Sequence, residues 1–138
     1  MEIAFTCDDK SLTAREYIAL FNSLWQISLE ITGVEDALRR TVNITARDSV
    51  RLVGCGRILT DGYLFSVLTE VIVHRDYKLA GIDRRILELA ETASPSGIVF
   101  GAQAVKDKTM RELGWSMGPI TYYKRKTLTG DRRSCPDD

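Results

Sequence analysis

The first part of the chain carries a helical hydrophobic pattern. After residue 13, apolar residues recur at helical spacing on one face, which comprises Tyr17, Leu20, Phe21 and Leu24. Thr13 and Glu16 have the spacing of a capping box, which favours a helix that begins there. After a break at Gly33, acid–base pairs spaced four residues apart support a short second helix over residues 34–40.

Strands are predicted next, because β-branched residues replace the helical pattern from residue 42 onwards. The predicted strands span residues 42–46, 50–60 and 63–73. Polar turns that would join them into an antiparallel meander lie at 47–49 and at Asp61-Gly62. Residues 1–6 fit a short first strand. Gly54 and Gly56 lie inside the middle strand of the meander, where they indicate a bulge, a close backbone approach or a loosely packed edge.

The second half of the chain predicts further helices and strands. A helix that ends before Pro95 is marked by Ile82, Ile86, Leu89 and Ala93. The remaining predicted elements are a strand of the buried type at 98–102, a helix at 106–113 capped by Gly114, and a last strand at 120–127. Residues 128–138 predict a disordered tail, so a single domain would occupy residues 1–127.

Composition limits the classes of partner. The chain has 138 residues, which suits one domain. Its 19 basic and 19 acidic residues give no net charge, which disfavours a general nucleic-acid binder and a polybasic membrane binder. No apolar run approaches the roughly 18 residues of a membrane span, and Asp8, Asp9 and Lys10 lie where a signal peptide would be apolar. We therefore expect a cytoplasmic protein that binds neither nucleic acid nor membrane.

The cysteines point to the same compartment. Cys7, Cys55 and Cys135 are odd in number and far apart, without a C-x-x-C or Cys/His ligand spacing. We interpret them as reduced thiols and expect no metal site.

The most informative segment runs from residue 70 to residue 85. An apolar strand that carries one acid, Glu70, continues through a basic turn into a predicted helix, and proteins use this layout to present backbone N–H groups to phosphates. The loop Lys78-Leu79-Ala80-Gly81-Ile82-Asp83 resembles the Q/R-x-x-G-x-G/A loop with which GNAT N-acetyltransferases bind acetyl-CoA. Residues 53–57, Val-Gly-Cys-Gly-Arg, resemble the V-G-x-x-R of that family, and residues 113–115, Leu-Gly-Trp, resemble its L-G-F.

The resemblance covers nearly the whole chain and implies the GNAT fold, an α/β fold of the α+β type. A mixed, mostly antiparallel central sheet would be flanked by helices and would splay between its fourth and fifth strands. The implied reaction is direct transfer of an acetyl group from acetyl-CoA to a primary amine, with the acceptor undetermined. A homodimer is expected on the same basis. Carried over by motif, the acetyl-CoA-binding residues would be Val71, Val73, Lys78, Leu79, Ala80, Gly81, Ile82, Asp83 and Arg84.

Lys78 stands where the family's loop has Gln or Arg, and two further departures bear directly on function. Asp83 replaces a small residue of the loop, where its carboxylate would repel a phosphate or would simply serve as a first-turn helix residue. Met110 stands where a tyrosine commonly protonates the leaving thiolate. If another tyrosine takes over that role, the candidates are Tyr77, Tyr122 and Tyr123. Both departures favour a second hypothesis, a non-catalytic GNAT-like module that binds a protein partner or senses acyl-CoA.

Glu70 is the candidate general base. It interrupts an apolar strand just before Val71 and Val73, whose main-chain groups would bind the pantetheine amides and the thioester carbonyl if the resemblance holds. Amine acetylation needs a base that takes a proton from the ammonium group. Two structural alternatives remain open, a solvent-facing strand position and an ion pair with Arg57. His74 could titrate near neutrality or could be a surface turn residue. Cys55 fits a small buried residue better than a nucleophile.

Overall fold

The structure is a computed structural model that describes residues 2–101, 105–118 and 123–126. Within these residues the chain forms a five-stranded sheet in the order β1-β2-β3-β4-β5. The strands are β1 (Ile3–Thr6), β2 (Val42–Asp48), β3 (Arg51–Thr60), β4 (Ser66–Val73) and β5 (Val99–Gly101). The helices are α1 (Ala14–Asn22), α2 (Ile31–Arg40), α3 (Ile82–Ala93) and α4 (Asp107–Glu112), and a 3₁₀ turn spans Arg75–Tyr77.

Helices cover both faces of the sheet, as predicted for an α+β fold. The first four strands are antiparallel, and β5 joins β4 in parallel. Helix α3 packs on one face through the buried side chains of Ile82 and Ile86, and we call this the α3 face. Helices α1 and α2 cover the other face, the α1 face, where Tyr17 and Leu20 pack near Ile72.

Gly54 and Gly56 allow α3 to approach the central strand β3 closely. A Cβ atom on Gly54 would lie 2.6 Å from Cγ2 of Ile82, and one on Gly56 would lie 2.5 Å from Cγ2 of Ile86. Both distances are too short for a side chain unless the helix moves. Of the alternatives that the sequence left open, the close approach and the bulge are both correct, because Val53 beside Gly54 has no partner on β2. The loosely packed edge is wrong, since β3 pairs with a strand on each side.

The predicted start of α1 is confirmed, whereas α2 begins earlier than expected. The hydroxyl of Thr13 accepts the N–H of Glu16 at 3.2 Å, and the Glu16 carboxylate accepts the N–H of Thr13 at 3.0 Å, which completes the capping box. Helix α2 begins at Ile31 instead of residue 34, so Gly33 lies inside the helix and does not break the chain there. A Cβ on Gly33 would meet nothing within 4 Å, so no packing constraint requires this glycine.

The strand boundaries also differ from the predicted ones. Strand β2 extends to Asp48, so the following turn lies at residues 49–50. Strand β4 begins at Ser66 rather than residue 63, because the carboxylate of Asp61 accepts the backbone N–H groups of residues 63–65 and so holds them in a loop. Strand β5 is not buried as predicted, since it ends the described sheet and leaves Phe100 half-exposed.

The C-terminal region is described in part. Helix α3 ends before Pro95 and α4 is followed by Gly114 in the left-handed conformation, both as predicted. Residues 123–126 of the predicted last strand are not in a strand, and its other residues, together with Cys135 and the predicted tail, lie outside the described residues. Cys7 and Cys55 form no disulfide. In the described ranges no helix is long and apolar enough to cross a membrane.

Candidate active site

Strand β4 contains a bulge at Thr69. The register pairs Leu68 with Ile58 and Glu70 with Arg57, so Thr69 has no partner residue on β3. The extra residue interrupts the alternation of side chains along β4. Leu68 lies in the core beneath α3, whereas Glu70 projects to the α1 face and contacts Tyr17.

In the part of the chain that the structure describes, strand β5 pairs with β4 as far as Leu68, the residue before this bulge. The paired residues are Ser66–Val99, Val67–Phe100 and Leu68–Gly101. From Thr69 to Val73, the edge of β4 that faces away from β3 has no strand partner in the part of the chain that the structure describes. The predicted opening between the fourth and fifth strands would begin at Thr69, and it stays a prediction because residues 102–104, which follow β5, lie outside the described residues. The segment with Val71 and Val73 borders it, while their side chains pack against the core beneath α3.

Backbone contacts fix the loop between β4 and α3. Nδ1 of His74 accepts the N–H of Asp76 at 3.2 Å, and the carbonyl of Tyr77 accepts the N–H of Ala80 at 3.1 Å. Gly81 then adopts a φ of +74°, which favours glycine, and forms the N-cap of α3. These contacts and the conformation of Gly81 fix how the backbone enters α3.

The start of α3 presents several backbone N–H groups close together. The first N–H groups of a helix have no acceptor within it, and for Gly81, Ile82 and Asp83 no other acceptor is found among the described residues. The N–H of Arg84 is already engaged, because Oδ1 of Asp83 accepts it at 2.8 Å. The helix dipole makes this end attractive to an anion. Asp83 opposes such an anion through its charge and occupies one of the donors.

Of the basic side chains in this region, those of Arg75 and Lys78 are available to an anion, since both are exposed and neither has an ion-pair partner among the described residues. Arg84 pairs with Glu112 at 2.7 Å, and Arg85 pairs with Glu88 at 3.0 Å. The loop thus offers backbone donors together with the side chains of Arg75 and Lys78.

Glu70 is held by side chains from three elements. Arg57 on β3 donates from Nε to Oε2 and from Nη2 to Oε1, the second contact at 2.7 Å. Tyr17 on α1 donates its hydroxyl to Oε2 at 3.3 Å, and Thr69 donates to Oε1 at 2.8 Å. The Glu70 and Arg57 side chains are only 24% and 18% exposed. The ion pair that the sequence left open is therefore present, and the role of Glu70 as a base stays a prediction.

The geometry can be compared with known proteins. No protein-family profile matches the sequence, and no curated protein sequence matches it. A GNAT-family acetyltransferase from Streptococcus pneumoniae TIGR4 superposes with a TM-score of 0.72 at 18% identity, over 91% of this chain and 100% of that chain. A ribosomal-protein-alanine N-acetyltransferase from Brucella melitensis superposes with a TM-score of 0.66 at 17% identity, over 92% of this chain and 100% of that chain. This chain has the GNAT fold.

A third structure with the GNAT fold contains a ligand. AAC(6')-Iy, in complex with the bisubstrate analogue CoA-S-monomethyl-acetylneamine, superposes with a TM-score of 0.69 at 11% identity. The superposition covers 93% of this chain and 100% of that chain. All three identities are low, so these likenesses describe the fold and leave the chemistry to be argued from the residues of this chain.

Near Glu70, the site contains a tyrosine that sequence reasoning assigned only to packing. Burial and then the charge of Glu70 raise the pKa of the Tyr17 hydroxyl, so Tyr17 remains a proton donor to the carboxylate. Burial opposes the charge on Arg57, but its hydrogen bonds to Glu70 prevail and raise the pKa of the guanidinium. Burial and then Glu70 also raise the pKa of the Cys55 thiol to about 12, which supports its assignment as a packing residue.

The position of the GNAT family's tyrosine is filled by a packing residue. The Met110 side chain packs against Gly101. A Cβ atom added at Gly101 would lie 3.0 Å from Cε of Met110. Tyr77 donates its hydroxyl to Asp48 at 2.6 Å, and this hydrogen bond raises the pKa of the tyrosine. Tyr123 is exposed, and Tyr122 lies outside the described residues. Of these candidates for the general acid, none is placed beside Glu70 by a contact in the described part of the chain.

His74 belongs to a small cluster at the end of β4. Its Nε2 lies 3.1 Å from Nη2 of Arg51, and its ring meets the Tyr77 ring edge-on at 5.9 Å. Tyr77 also lies against the Arg51 guanidinium. The histidine therefore anchors the loop to β3. Among the described residues, no three His, Cys, Asp or Glu side chains come together as metal ligands.

Proposed function

We propose that this protein transfers the acetyl group of acetyl-CoA to a primary amine by direct attack of the amine. One observation carries the proposal. Among the described residues, the outer edge of β4 has no strand partner after the Thr69 bulge, and the chain leads from there to a helix start at Gly81 whose first N–H groups have no acceptor. The GNAT fold and the CoA analogue named in one similar structure support the same assignment.

The two ends of acetyl-CoA would use different parts of this path. Main-chain groups of Val71 and Val73 would bind the amides of the pantetheine arm, since an unpaired strand edge offers donors and acceptors in a row. The pyrophosphate would lie at the loop before α3, where backbone N–H groups and the helix dipole favour an anion. The proposed loop residues are Lys78, Leu79, Ala80, Gly81, Ile82, Asp83 and Arg84.

Glu70 would act on the acceptor as a general base. It would take a proton from the ammonium group, directly or through a water molecule, and the free amine would then form a bond to the carbonyl carbon of the thioester. Collapse of the tetrahedral intermediate breaks the carbon–sulfur bond and releases the CoA thiolate, and the attacking nitrogen loses its second proton, which balances the protonation of the thiolate. Arg57 and Tyr17 would orient the carboxylate during this step. The group that protonates the thiolate is left unassigned.

A second candidate function is a non-catalytic module that binds a protein partner or senses acyl-CoA. Two contacts favour it. Asp83 places a carboxylate at the expected phosphate position and occupies the N–H of Arg84. Met110 packs beneath Gly101 at the position where the family has its tyrosine. Neither contact prevents acetyl-CoA from binding elsewhere along β4, so binding itself is the first question.

A glycine pair gives a controlled test. Gly81 at the proposed loop and Gly62 in the β3–β4 hairpin both have positive φ, and nothing within 4 Å would meet a Cβ on either. Each change to alanine should therefore cost a similar amount of stability, about 1 kcal/mol. Titration calorimetry with acetyl-CoA should show roughly tenfold weaker binding for Gly81→Ala, about 1.4 kcal/mol, and no change for Gly62→Ala.

Thermal unfolding provides an independent measurement. At a ligand concentration 100 times Kd, acetyl-CoA should stabilise the protein by about 2.7 kcal/mol and raise Tm by several degrees. No heat of binding and no Tm shift at millimolar acetyl-CoA would favour the protein-binding function instead.

We also keep two further predictions as part of this proposal. The protein is expected to be cytoplasmic and to form a homodimer, both on the basis of the sequence and the resemblance. Sedimentation equilibrium over a range of concentrations would measure the association state, and a monomer at all concentrations would contradict the dimer.

A further inference from the structure

The α1 face of the sheet carries an apolar row directly beside Glu70. Leu59 on β3 pairs with Val67 on β4, and Val67 pairs with Phe100 on β5, so the three residues cross the sheet in one line. Their neighbours Ile58 and Leu68 lie in the core beneath α3, which places the row on the opposite face. We call Leu59, Val67 and Phe100 the apolar row.

The apolar row and the Arg57–Glu70 pair share this face. Leu59 follows Arg57 by two residues on β3, which corresponds to about 7 Å along a strand. On β4 the same interval contains the bulge at Thr69, after which β4 has no further partner among the described residues of β5. A molecule that reaches Glu70 along this face from the β3–β4 hairpin would therefore cross the row.

The row is accessible and is surrounded by little charge. Leu59, Val67 and Phe100 are 51%, 37% and 48% exposed, and the Phe65 ring packs on Phe100 with the centroids 5.9 Å apart. On the α1 face of β3, β4 and β5 between the bulge and the hairpin, the charged groups that the structure describes are Arg57 and Glu70, and each neutralises the other. A polycation would find no second carboxylate among these strand residues.

We propose that the acceptor is a primary amine with an apolar or aromatic substituent, which binds on the apolar row while its amino group meets Glu70. This inference rests on the proposed acetyl transfer and adds the substrate class. Burial of apolar area against the row would supply the binding energy. The single carboxylate beside it suits one ammonium group and gives no advantage to amines with several charges.

The test compares acceptors of different chemistry with the full-length protein and acetyl-CoA. Release of CoA is measured with phenylethylamine, hexylamine, ethylamine, spermidine and an aminoglycoside such as kanamycin. The expected order of kcat/KM places phenylethylamine and hexylamine at least tenfold above ethylamine, since each buried methylene contributes roughly fourfold. Spermidine and kanamycin should be the poorest acceptors. A preference for either polycation would overturn the inference and leave acetyl transfer intact.

Two valine variants test whether the apolar row binds the substituent of the amine. Val67→Thr makes one member of the row polar, and Val50→Thr makes the same change at an exposed turn position between β2 and β3. The Val67 variant should raise KM for hexylamine by roughly fivefold and leave kcat and the values for ethylamine nearly unchanged. Equal effects of both variants, or an equal effect on both amines, would overturn the assignment of the row. If no amine is acetylated although acetyl-CoA binds, the proposed function fails together with this inference.

Discussion

Arg57 and Glu70 lie opposite each other on neighbouring strands at the point where the register of β3 and β4 shifts. The shift itself decides their relationship, because the extra residue Thr69 turns Glu70 to the α1 face, where it meets both Arg57 and Tyr17. Without the bulge, continued alternation after Leu68 would place position 70 on the α3 face. The position of the proposed catalytic carboxylate therefore depends on the bulge at Thr69.

Glu70→Gln tests whether this carboxylate is a base. The amide cannot accept the proton, so the acetylation rate should fall by roughly 10²–10⁴ while the affinity for acetyl-CoA stays near that of the wild type. Single-turnover kinetics and calorimetry measure the two quantities. The substitution should also destabilise the protein by about 1–3 kcal/mol, because a charged hydrogen-bonded pair is lost.

Arg57→Gln is the control for that loss of stability. It breaks the same ion pair and keeps the carboxylate, so its free energy of unfolding should fall by a similar amount. The activity should fall less than in Glu70→Gln, because the base is retained and only its orientation is disturbed. If the Arg57 variant loses as much activity as the Glu70 variant, the pair acts as a structural unit. The base would then have to be sought in ordered water or in the ionisation of the amine itself.

A second prediction concerns the contact between β3 and α3. Gly54→Ala would place a methyl group 2.6 Å from Cγ2 of Ile82, so it should lower the free energy of unfolding by about 1–3 kcal/mol and shift the start of α3. Acetyl-CoA should bind more weakly as a result. Gly33→Ala is the contrasting change, because the methyl group would meet nothing and should stabilise α2 by about 0.5–1 kcal/mol. Urea unfolding measures the free energy of unfolding of both variants. Changes of the same sign in the two variants would contradict the packing argument.

The parts of this fold that could be predicted from the sequence depend on local interactions. The capping box of α1 and the end of α3 before Pro95 each involve residues close in the chain, and both are confirmed. Glycine at 54 allowed several explanations, because only the position of α3 distinguishes a close approach from a weak edge. The length of α2 was underestimated, since tertiary contacts of Val34 and Leu38 stabilise a helix through Gly33.

The site was harder to predict because its geometry depends on pairing between distant segments. The bulge at Thr69 is a property of the register between β3 and β4 and has no signature in β4 alone. Tyr17 reaches Glu70 only because α1 crosses that face, so the sequence pattern identified it as an apolar helix residue. Arg57 could be considered a partner of Glu70 because both were predicted in neighbouring strands of a meander.

A third prediction is a loss of stability at acid pH that depends on Asp9. Burial would raise the pKa of Asp9, but hydrogen bonds from Ser11, Thr45 and Arg47 outweigh it and lower the pKa to about 2. An unfolded aspartate titrates near pH 3.9, so the stabilisation is complete above about pH 4 and is lost as the pH falls towards 2. The loss should amount to about 2 kcal/mol. Asp9→Asn should flatten this part of the pH–stability curve and Asp36→Asn should not. An unchanged slope in the Asp9 variant would contradict the assignment.

The last prediction concerns Asp83, whose carboxylate lies in the first turn of α3 and accepts the N–H of Arg84 at 2.8 Å. If the pyrophosphate of acetyl-CoA binds at this end, the carboxylate repels it at short range. Asp83→Asn removes the charge and keeps an oxygen that can accept the same N–H, so acetyl-CoA should bind roughly tenfold more tightly, a gain of about 1.4 kcal/mol. The gain should shrink as salt is raised, because screening weakens the repulsion in the wild type. Asp36→Asn on α2 makes the same change on the other side of the sheet and should leave the affinity unchanged. Equal affinities of the wild type and the Asp83 variant at low salt would show that the phosphates do not approach this turn, which would remove Asp83 from the proposed site and strengthen the case for a module that binds a protein partner.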